Sequence, residues 1–452
     1  MREASVAAAA RSFDVGAALD DGRWMGWQKL VVALVAFAIV LDGFDNQVLG
    51  FAVPLLLKEW SVSREMFAPV FALGFVGMVL GTIVGGALGD RVGRRPMLIA
   101  SVLIFGVATG CTAWAGSLTA LAAFRTIAGF GLGGAMPNAA TLLAEFAPRR
   151  KRSLAVTLGI VCIPLGGVGG GMIAAYILPV FGWRALFAIG GILPLIVAAV
   201  LILALPESPR YLVTRPSRRD ELVRLLARLG HEIGPDQYPV DPGSGQGERA
   251  SIGSLFRSEF CRDTSALWIA FFACLLTTYV VFSWAPTLLS QSGFGLSLAS
   301  LSVATFNVGG VVGALLAAVL TPRLGSRPIM MMTAAGGVLV AIIIALVPPG
   351  GDHRLQIALL AIEGAFINAV QTSLYALAAQ VYPTRLRSTG VGSAAGFGRI
   401  GAIVSSIVGA AIIAGGWNFY FYCLAIGMAV TFVALAMIVR HTEPEKPAPA
   451  LS

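Results

Sequence analysis

Twelve apolar runs succeed one another along the chain, each close to the roughly twenty residues a helix needs to cross a ~30 Å hydrocarbon core. They lie at approximately 30–51, 67–89, 97–115, 119–144, 154–178, 184–205, 266–290, 297–320, 328–348, 355–379, 386–414 and 417–440. Polar positions gather in the short intervals between runs and in one longer interval, about 206–264. Lipid offers no partner to backbone N–H and C=O groups, so each run is expected to close its own hydrogen bonds as a helix. The pattern predicts an all-α integral membrane protein of about twelve transmembrane helices. Residues 1–28 are polar and mixed, and the first apolar run has full spanning length. No cleavable signal is therefore expected, and the first span itself serves as the insertion signal.

Composition agrees with a lipid solvent: 57% of residues are hydrophobic and only 12% charged. The formal charge of +9 would suggest a polyanionic partner in a soluble protein, so its placement decides. One side of the alternating loops holds Arg91, Arg94 and Arg95, the run Arg149, Arg150, Lys151 and Arg152, the long interval, Arg323, Arg327, Arg385 and Arg387. The other side holds little beyond Lys58, Arg64, Arg184 and Arg354. By the positive-inside rule both termini are cytoplasmic, and the basic excess reflects topology rather than nucleic acid. The five cysteines show no disulfide framework and no metal-ligand spacing.

Internal repetition sets the architecture. GALGDRVGRRP, from Gly86, returns as AVLTPRLGSRP, from Ala318; AEFAPRRKRS, from Ala144, as AQVYPTRLRS, from Ala379; and FAVPLLL, from Phe51, as SWAPTLL, from Ser283. The offsets of 232 to 235 residues imply one six-helix unit used twice, in parallel halves joined by a linker. Expected divisions are a cytoplasmic segment 1–28, a six-helix bundle 29–206, a linker 207–264, a second bundle 265–440 and a tail 441–452. Within the linker, Leu222, Leu225, Leu226 and Leu229 share one helical face, with Ser217 and Asp220 placed as a capping box. A short helix on the membrane surface is expected, followed by a flexible stretch, DPGSGQGER.

Ionisable residues inside spans cost roughly 2.5–3.5 kcal/mol or more at the bilayer centre, so those present are paired or functional. They are Asp42 and Asp45 in span 1, Arg125 in span 4, Glu363 in span 10 and Arg399 in span 11. The repeat aligns Cys274 and Thr277 with Asp42 and Asp45, so the acid pair belongs to one half alone. A guanidinium can hold a carboxylate by two parallel hydrogen bonds. Arg399 is the first candidate for such a substrate clamp and Arg125 the second. Desolvation and a like-charged neighbour favour the protonated carboxylic acid, which makes Asp42 or Asp45 a candidate proton carrier. Glu363 is either interhelical glue or a further coupling group. The competing reading is a static buried ion pair between span 1 and span 4 or 11.

Gly129, Gly131 and Gly134 fit a dinucleotide-binding spacing, but no strand precedes them and they lie in a spanning helix, where small residues serve close packing. Walker A, H-E-x-x-H and G-x-S-x-G sequences are absent. An enzyme is therefore not expected, nor any cofactor or metal.

GALGDRVGRRP resembles the signature loop between helices 2 and 3 of the major facilitator superfamily, and Arg125, Gly129 and Gly133 resemble its R-x-x-x-G-x-x-x-G pattern in helix 4. Ile163 before Pro164 departs from the Gly-Pro pattern of the antiporters. The helix 1 string LDGFDNQVLGFAVP is similar to the D-G-F-D pattern of the aromatic acid:proton symporters, and PESPRYL, from Pro206, closes span 6 as in that family. The resemblance spans the whole chain. It implies the major facilitator fold, two six-helix pseudo-repeat bundles, and proton-driven import of benzoate-type or hydroxybenzoate-type acids across the bacterial inner membrane. Asp90, Arg91, Gly93, Arg94 and Arg95, with Glu145, are then expected to form a cytoplasmic gate whose salt bridges change between states.

The expected substrate site draws on Phe44, Gln47, Tyr279, Trp284, Asn307, Gln371 and Tyr375 around the arginines, with Asn46, Phe306 and Asn368 as further lining. The expected partners are a small carboxylate, a proton and the bilayer, for a protein functional as a monomer. The runner-up function is a sugar or other organic-solute porter of the same superfamily; from another class, it is a membrane receptor or enzyme.

Overall fold

Backbones that cannot bond to lipid bond to themselves, and the computed structural model is helical through almost all of residues 12–22, 24–234, 237–241, 252–257, 259–441 and 443, which it describes. A strand β1 (Ser12–Asp14) and helix α1 (Val15–Asp21) precede α2 (Gly26–Trp60), α3 (Arg64–Val92), α4 (Arg94–Thr112), α5 (Leu118–Phe146) and α6 (Arg149–Ala204). The central interval holds α7 (Pro209–Val213), α8 (Arg219–Arg228) and β2 (Tyr238–Val240). The second group is α9 (Cys261–Gln291), α10 (Leu296–Leu324), α11 (Ser326–Leu346), α12 (His353–Val381), α13 (Thr384–Ala414) and α14 (Gly416–Met437).

Eleven of these helices are long and apolar enough to cross a membrane. At 56 residues α6 would measure about 84 Å, nearly three times the hydrocarbon core. Gly182 breaks it with φ 73° and ψ −177°, a backbone conformation that favours glycine. Arg152 near its start and Arg210 beyond its end both pair with Asp20, so the two arms return to the same side. Spans 5 and 6 are therefore joined by a single glycine rather than a loop, which completes twelve crossings.

The repeat is visible in backbone geometry. Gly93 between α3 and α4 has φ 120° and ψ 155°, and Gly325 between α10 and α11 has φ 85° and ψ 158°. Pro54 and Pro286 sit inside α2 and α9, while Pro148 and Pro383 occupy the N-caps of α6 and α13. Helices approach closely where side chains are absent. A Cβ at Gly77 or Gly81 of α3, or at Gly129 or Gly133 of α5, would strike a backbone carbonyl of the partner helix.

The two bundles meet along α2 with α9, α3 with α13, and α6 with α10. Away from the arginine-rich turns, Gly50 lies on the Phe282 carbonyl, Gly171 lies on Ser300 and Ala304, and Arg64 bonds Gln291 at 2.8 Å. Toward the arginine-rich end, a Cβ at Gly86 of α3, or at Gly392 or Gly396 of α13, would meet nothing within 4 Å. Close contacts between the bundles thus lie at the end away from the arginine-rich turns, and open space lies beside these three glycines.

A small layer covers the arginine-rich end of the first bundle. β1 pairs in parallel with β2, Ser12 opposite Tyr238, and Asp14 caps α1 through the Ala17 N–H. Leu222, Leu225, Leu226 and Leu229 are buried with Val15, Leu19 and Leu212 in one apolar cluster. The linker helix is therefore packed on protein, not laid on the membrane surface as its leucine face suggested. Its N-cap is Arg218, without a side-chain cap bond, after a 3-10 turn at Pro216–Arg218, so the expected Ser217–Asp220 capping box is replaced. Most of the DPGSGQGER stretch, the first eleven residues, the Arg385 side chain and residues 444–452 lie outside the described residues.

Candidate functional site

Span 1 places its two carboxylates toward different bundles. Asp45 turns into its own bundle, where Arg125 of α5 donates from Nη2 to Oδ2 at 3.1 Å and Oδ1 at 3.3 Å. Thr109 of α4 completes this cluster, accepting from Arg125 at 2.6 Å and donating its hydroxyl to Asp45 Oδ1. The Asp45 side chain is fully buried and Arg125 is 5% exposed, with the guanidinium over the Phe187 ring, 5.5 Å from its centroid. A buried pair of this kind persists only when its remaining donors and acceptors are met, which is the part Thr109 plays.

Asp42 faces the other bundle. Arg399 of α13 interacts electrostatically with Asp42, Tyr279 and Tyr375, and donates to the Tyr279 hydroxyl at 2.9 Å. Its guanidinium also touches the sulfur of Met78 on α3. The Asp42 carboxylate accepts from Asn46 Nδ2 at 3.2 Å. Phe75 packs edge-on to Tyr279 at 4.8 Å between ring centroids, and Tyr279 packs on Phe282 at 5.8 Å. The meeting of the bundles therefore holds one arginine, one carboxylate and an aromatic wall. Within the first bundle, Asn46, Phe71, Phe75, Met78, Leu132, Asp45 and Arg125 line a cleft, and two of them, Met78 and Phe75, also touch Arg399 and Tyr279 respectively.

The other expected site residues make the following contacts. Gln47 and Asn307 are fully buried and exchange amide hydrogen bonds at 2.8 and 3.2 Å, which ties α2 to α10. Trp284 is buried against Phe71 and donates to the Ser406 carbonyl at 3.2 Å. Phe44 packs on Gly170 and Gly190 of α6. Gln371 meets Thr278 at 3.5 Å, Tyr375 packs edge-on to Phe271, Phe306 lies against Phe282, and Asn368 donates to the Gly364 carbonyl. Glu363 is fully buried, and neither carboxyl oxygen has a hydrogen-bond partner among the described residues. Sequence reasoning missed Thr109, Phe75 and Met78, none of which carries a charge or a motif.

At the arginine-rich turn Asp90 pairs with Arg94 one helical turn on. The organising group is one the sequence did not single out. Glu207 Oε1 accepts from the backbone N–H of Arg94 at 3.0 Å, Arg95 at 3.1 Å and Ser208 at 2.9 Å, beside the start of α4 where the helix dipole favours an anion. A Cβ at Gly93 would collide with Glu207 Oε2. Glu145 accepts from the Ser208 hydroxyl, and the Arg91 carbonyl accepts from Tyr211 at 3.0 Å and Arg215 at 2.7 Å. Arg95 donates to the Ile202 carbonyl at 2.6 Å. These partners all belong to the first bundle and its linker. An acid inside PESPRYL, next to a basic turn, was the available signal for Glu207. Among the described residues no group of three or more His, Cys, Asp or Glu could hold a metal ion.

The sequence model of the Major Facilitator Superfamily matches residues 35–392 and, in a second match, 352–452. The chain is 34% identical to the 4-hydroxybenzoate transporter PcaK of Pseudomonas putida over 95% of its length and 96% of that protein's. It is 33% identical to a gallate transporter of the same organism, over 97% of both. Its fold resembles a partially occluded inward-open structure of the xylose transporter XylE from E. coli, with a TM-score of 0.72 at 16% identity over 94% of this chain and all of that one. That likeness shows the fold alone. Twelve crossings in two repeated bundles, the Gly93 and Gly325 turns and these matches together make the chain a member of the Major Facilitator Superfamily, a transporter and not an enzyme.

Proposed function

We propose that the protein imports small aromatic carboxylic acids together with protons across the bacterial cytoplasmic membrane, with both termini and the arginine-rich turns on the cytoplasmic side. The observation that carries this reading is Arg399 of one bundle bonded to Tyr279 and touching Met78 of the other bundle, beside the aromatic wall of Phe75 and Tyr279 and within electrostatic reach of Asp42. The names of the relatives support the substrate class, since 4-hydroxybenzoate and gallate are both aromatic carboxylates.

Charge competition makes the coupling obligatory. Arg399 can neutralise one carboxylate. With Asp42 ionised, an incoming acid anion adds a second negative charge, whose repulsion at about 5 Å is on the order of 3 kcal/mol at an effective dielectric of 20. With Asp42 protonated, Arg399 is free to take the acid by a bidentate pair. Loss of the proton toward the cytoplasm restores Asp42 to Arg399 and expels the acid. Asp45 takes no part in this competition because Arg125 and Thr109 already satisfy it. Glu363, buried without a partner, is a second protonatable group in the other bundle. One proton with one monoanion moves no net charge, so the pH gradient alone drives that cycle; a second proton would add about 2.3 kcal/mol per 100 mV. Alternating exposure follows from rocking of the bundles about this site. The driving force is the proton gradient, without a cofactor, and a single chain contains the whole site.

Uptake of radiolabelled 4-hydroxybenzoate into proteoliposomes, with and without an inward proton gradient, tests the reading, with benzoate, an aliphatic dicarboxylate and a sugar as competitors. Accumulation that needs the gradient and is blocked only by aromatic acids is the expected result. Accumulation blocked by the sugar, or independent of the gradient, would overturn it.

A further inference from the structure

A cleft within the first bundle, which neighbours Arg399 through Met78, is lined by two polar atoms without a hydrogen-bond partner among the described residues. Its walls are apolar and partly aromatic, with Phe71, Phe75 and Met78 from α3 and Leu132 from α5. Of these, Met78 is also in contact with Arg399. Asn46 and Arg125 line the same cleft. The Asn46 amide nitrogen is engaged by the Asp42 carbonyl at 3.0 Å and carboxylate at 3.2 Å, but its oxygen is buried without a hydrogen-bond partner among the described residues. Arg125 spends Nη2 on Asp45 and Thr109, while its buried Nε–H has no partner among the described residues either. One orphaned acceptor and one orphaned donor thus line one apolar cleft.

Buried polar groups without partners cost free energy, and a hydroxyl is the smallest group that donates and accepts at once. An acid held by Arg399 would direct its ring past Met78 and Phe75 toward this cleft. A ring hydroxyl could then donate to Asn46 Oδ1 and accept from Arg125 Nε–H, whereas a bare ring C–H would leave both unmet. We propose that Asn46 and Arg125 form a subsite for a ring hydroxyl, so that the protein selects hydroxylated aromatic acids over their unsubstituted parents. The inference rests on the aromatic-acid reading above and adds the group that is recognised. It gives Arg125 a second task beside its ion pair, and it gives Asn46 a role on both sides of its amide.

The test compares the uptake efficiency, kcat/KM, of labelled 4-hydroxybenzoate and labelled benzoate in proteoliposomes under an inward proton gradient. The unaltered protein is expected to favour the hydroxylated acid by at least about tenfold, because a site built around a hydroxyl penalises its absence. Asn46→Leu, and Asn46→Ala measured beside it, should bring that ratio close to one. Equal efficiency for both acids in the unaltered protein would overturn the subsite alone, as would Asn46 variants that lower both uptakes by one common factor. Uptake of neither acid would overturn the aromatic-acid reading itself, and the subsite with it.

Discussion

Asp42 and Asp45 stand three residues apart on α2 yet differ in their arginines: Asp45 is bonded to Arg125 of its own bundle, while Asp42 makes no direct ion pair among the described residues and lies within electrostatic reach of Arg399 of the other bundle. One carboxylate is thereby built into the scaffold and the other left at the boundary that opens and closes. Only the second can have its partner taken by a substrate.

Removal of the boundary arginine should abolish acid uptake. Arg399→Ala forfeits two charge-assisted hydrogen bonds, about 3 kcal/mol or more, and uptake efficiency should fall at least ~100-fold. Arg399→Lys keeps the charge without the planar fork and should recover only a small part. Labelled-acid uptake by variants shown to be inserted at normal levels checks this; near-normal transport by the alanine variant would remove the clamp.

A permanently neutral side chain should uncouple the cycle. Asp42→Asn can no longer release a proton, so accumulation driven by a pH gradient should be lost while labelled acid still exchanges across the membrane at a reduced rate. Parallel gradient-driven and counterflow assays separate the two, and gradient-driven accumulation by this variant would place the proton elsewhere.

Thr109 should behave as part of the Asp45–Arg125 pair. Thr109→Val removes both its bonds and leaves the buried charges less well satisfied, a loss of roughly 1–3 kcal/mol, whereas Thr109→Ser keeps the hydroxyl. Thermal unfolding in detergent should show a lowered midpoint for valine and a largely restored one for serine. Equal midpoints for valine and the unaltered protein would count against the triad.

The turn at Gly93 should tolerate no side chain. With φ at 120° and Glu207 where a Cβ would go, Gly93→Ala adds strain of about 1–3 kcal/mol and displaces Glu207 from the Arg94 and Arg95 N–H groups. Uptake should drop several-fold with the protein still folded, and Glu207→Gln, which keeps one acceptor oxygen, should lie between. Unimpaired transport by Gly93→Ala would show that the Glu207 contacts at this turn do not matter to the cycle.

Much of this was legible in the sequence because lipid makes its demands simple. Spanning length, the repeat of GALGDRVGRRP and the scarcity of charge within spans led directly to twelve crossings and to Asp42, Asp45, Arg125, Glu363 and Arg399. Residues whose role depends on what lies opposite were not legible. Thr109 reads like any other threonine in a span, and most of those, such as Thr82, Thr112 and Thr126, do bond their own helix four residues back. Gln47 and Asn307 read as cavity lining because each is polar on a buried face, and only packing of α2 on α10 turns them into a pair. The leucine face of α8 correctly signalled burial, but not that α1 and the first bundle, rather than lipid, would cover it.

The central claim is that an acid anion and the Asp42 carboxylate compete for Arg399, so that a proton must accompany the acid. Adding 4-hydroxybenzoate to the purified protein in weakly buffered solution, at a pH where both the free acid and Asp42 are ionised, measures this directly. The account predicts uptake of about one proton per acid bound, seen as a rise in pH, and its loss in Asp42→Asn. Stoichiometric acid binding with no proton taken up would contradict it.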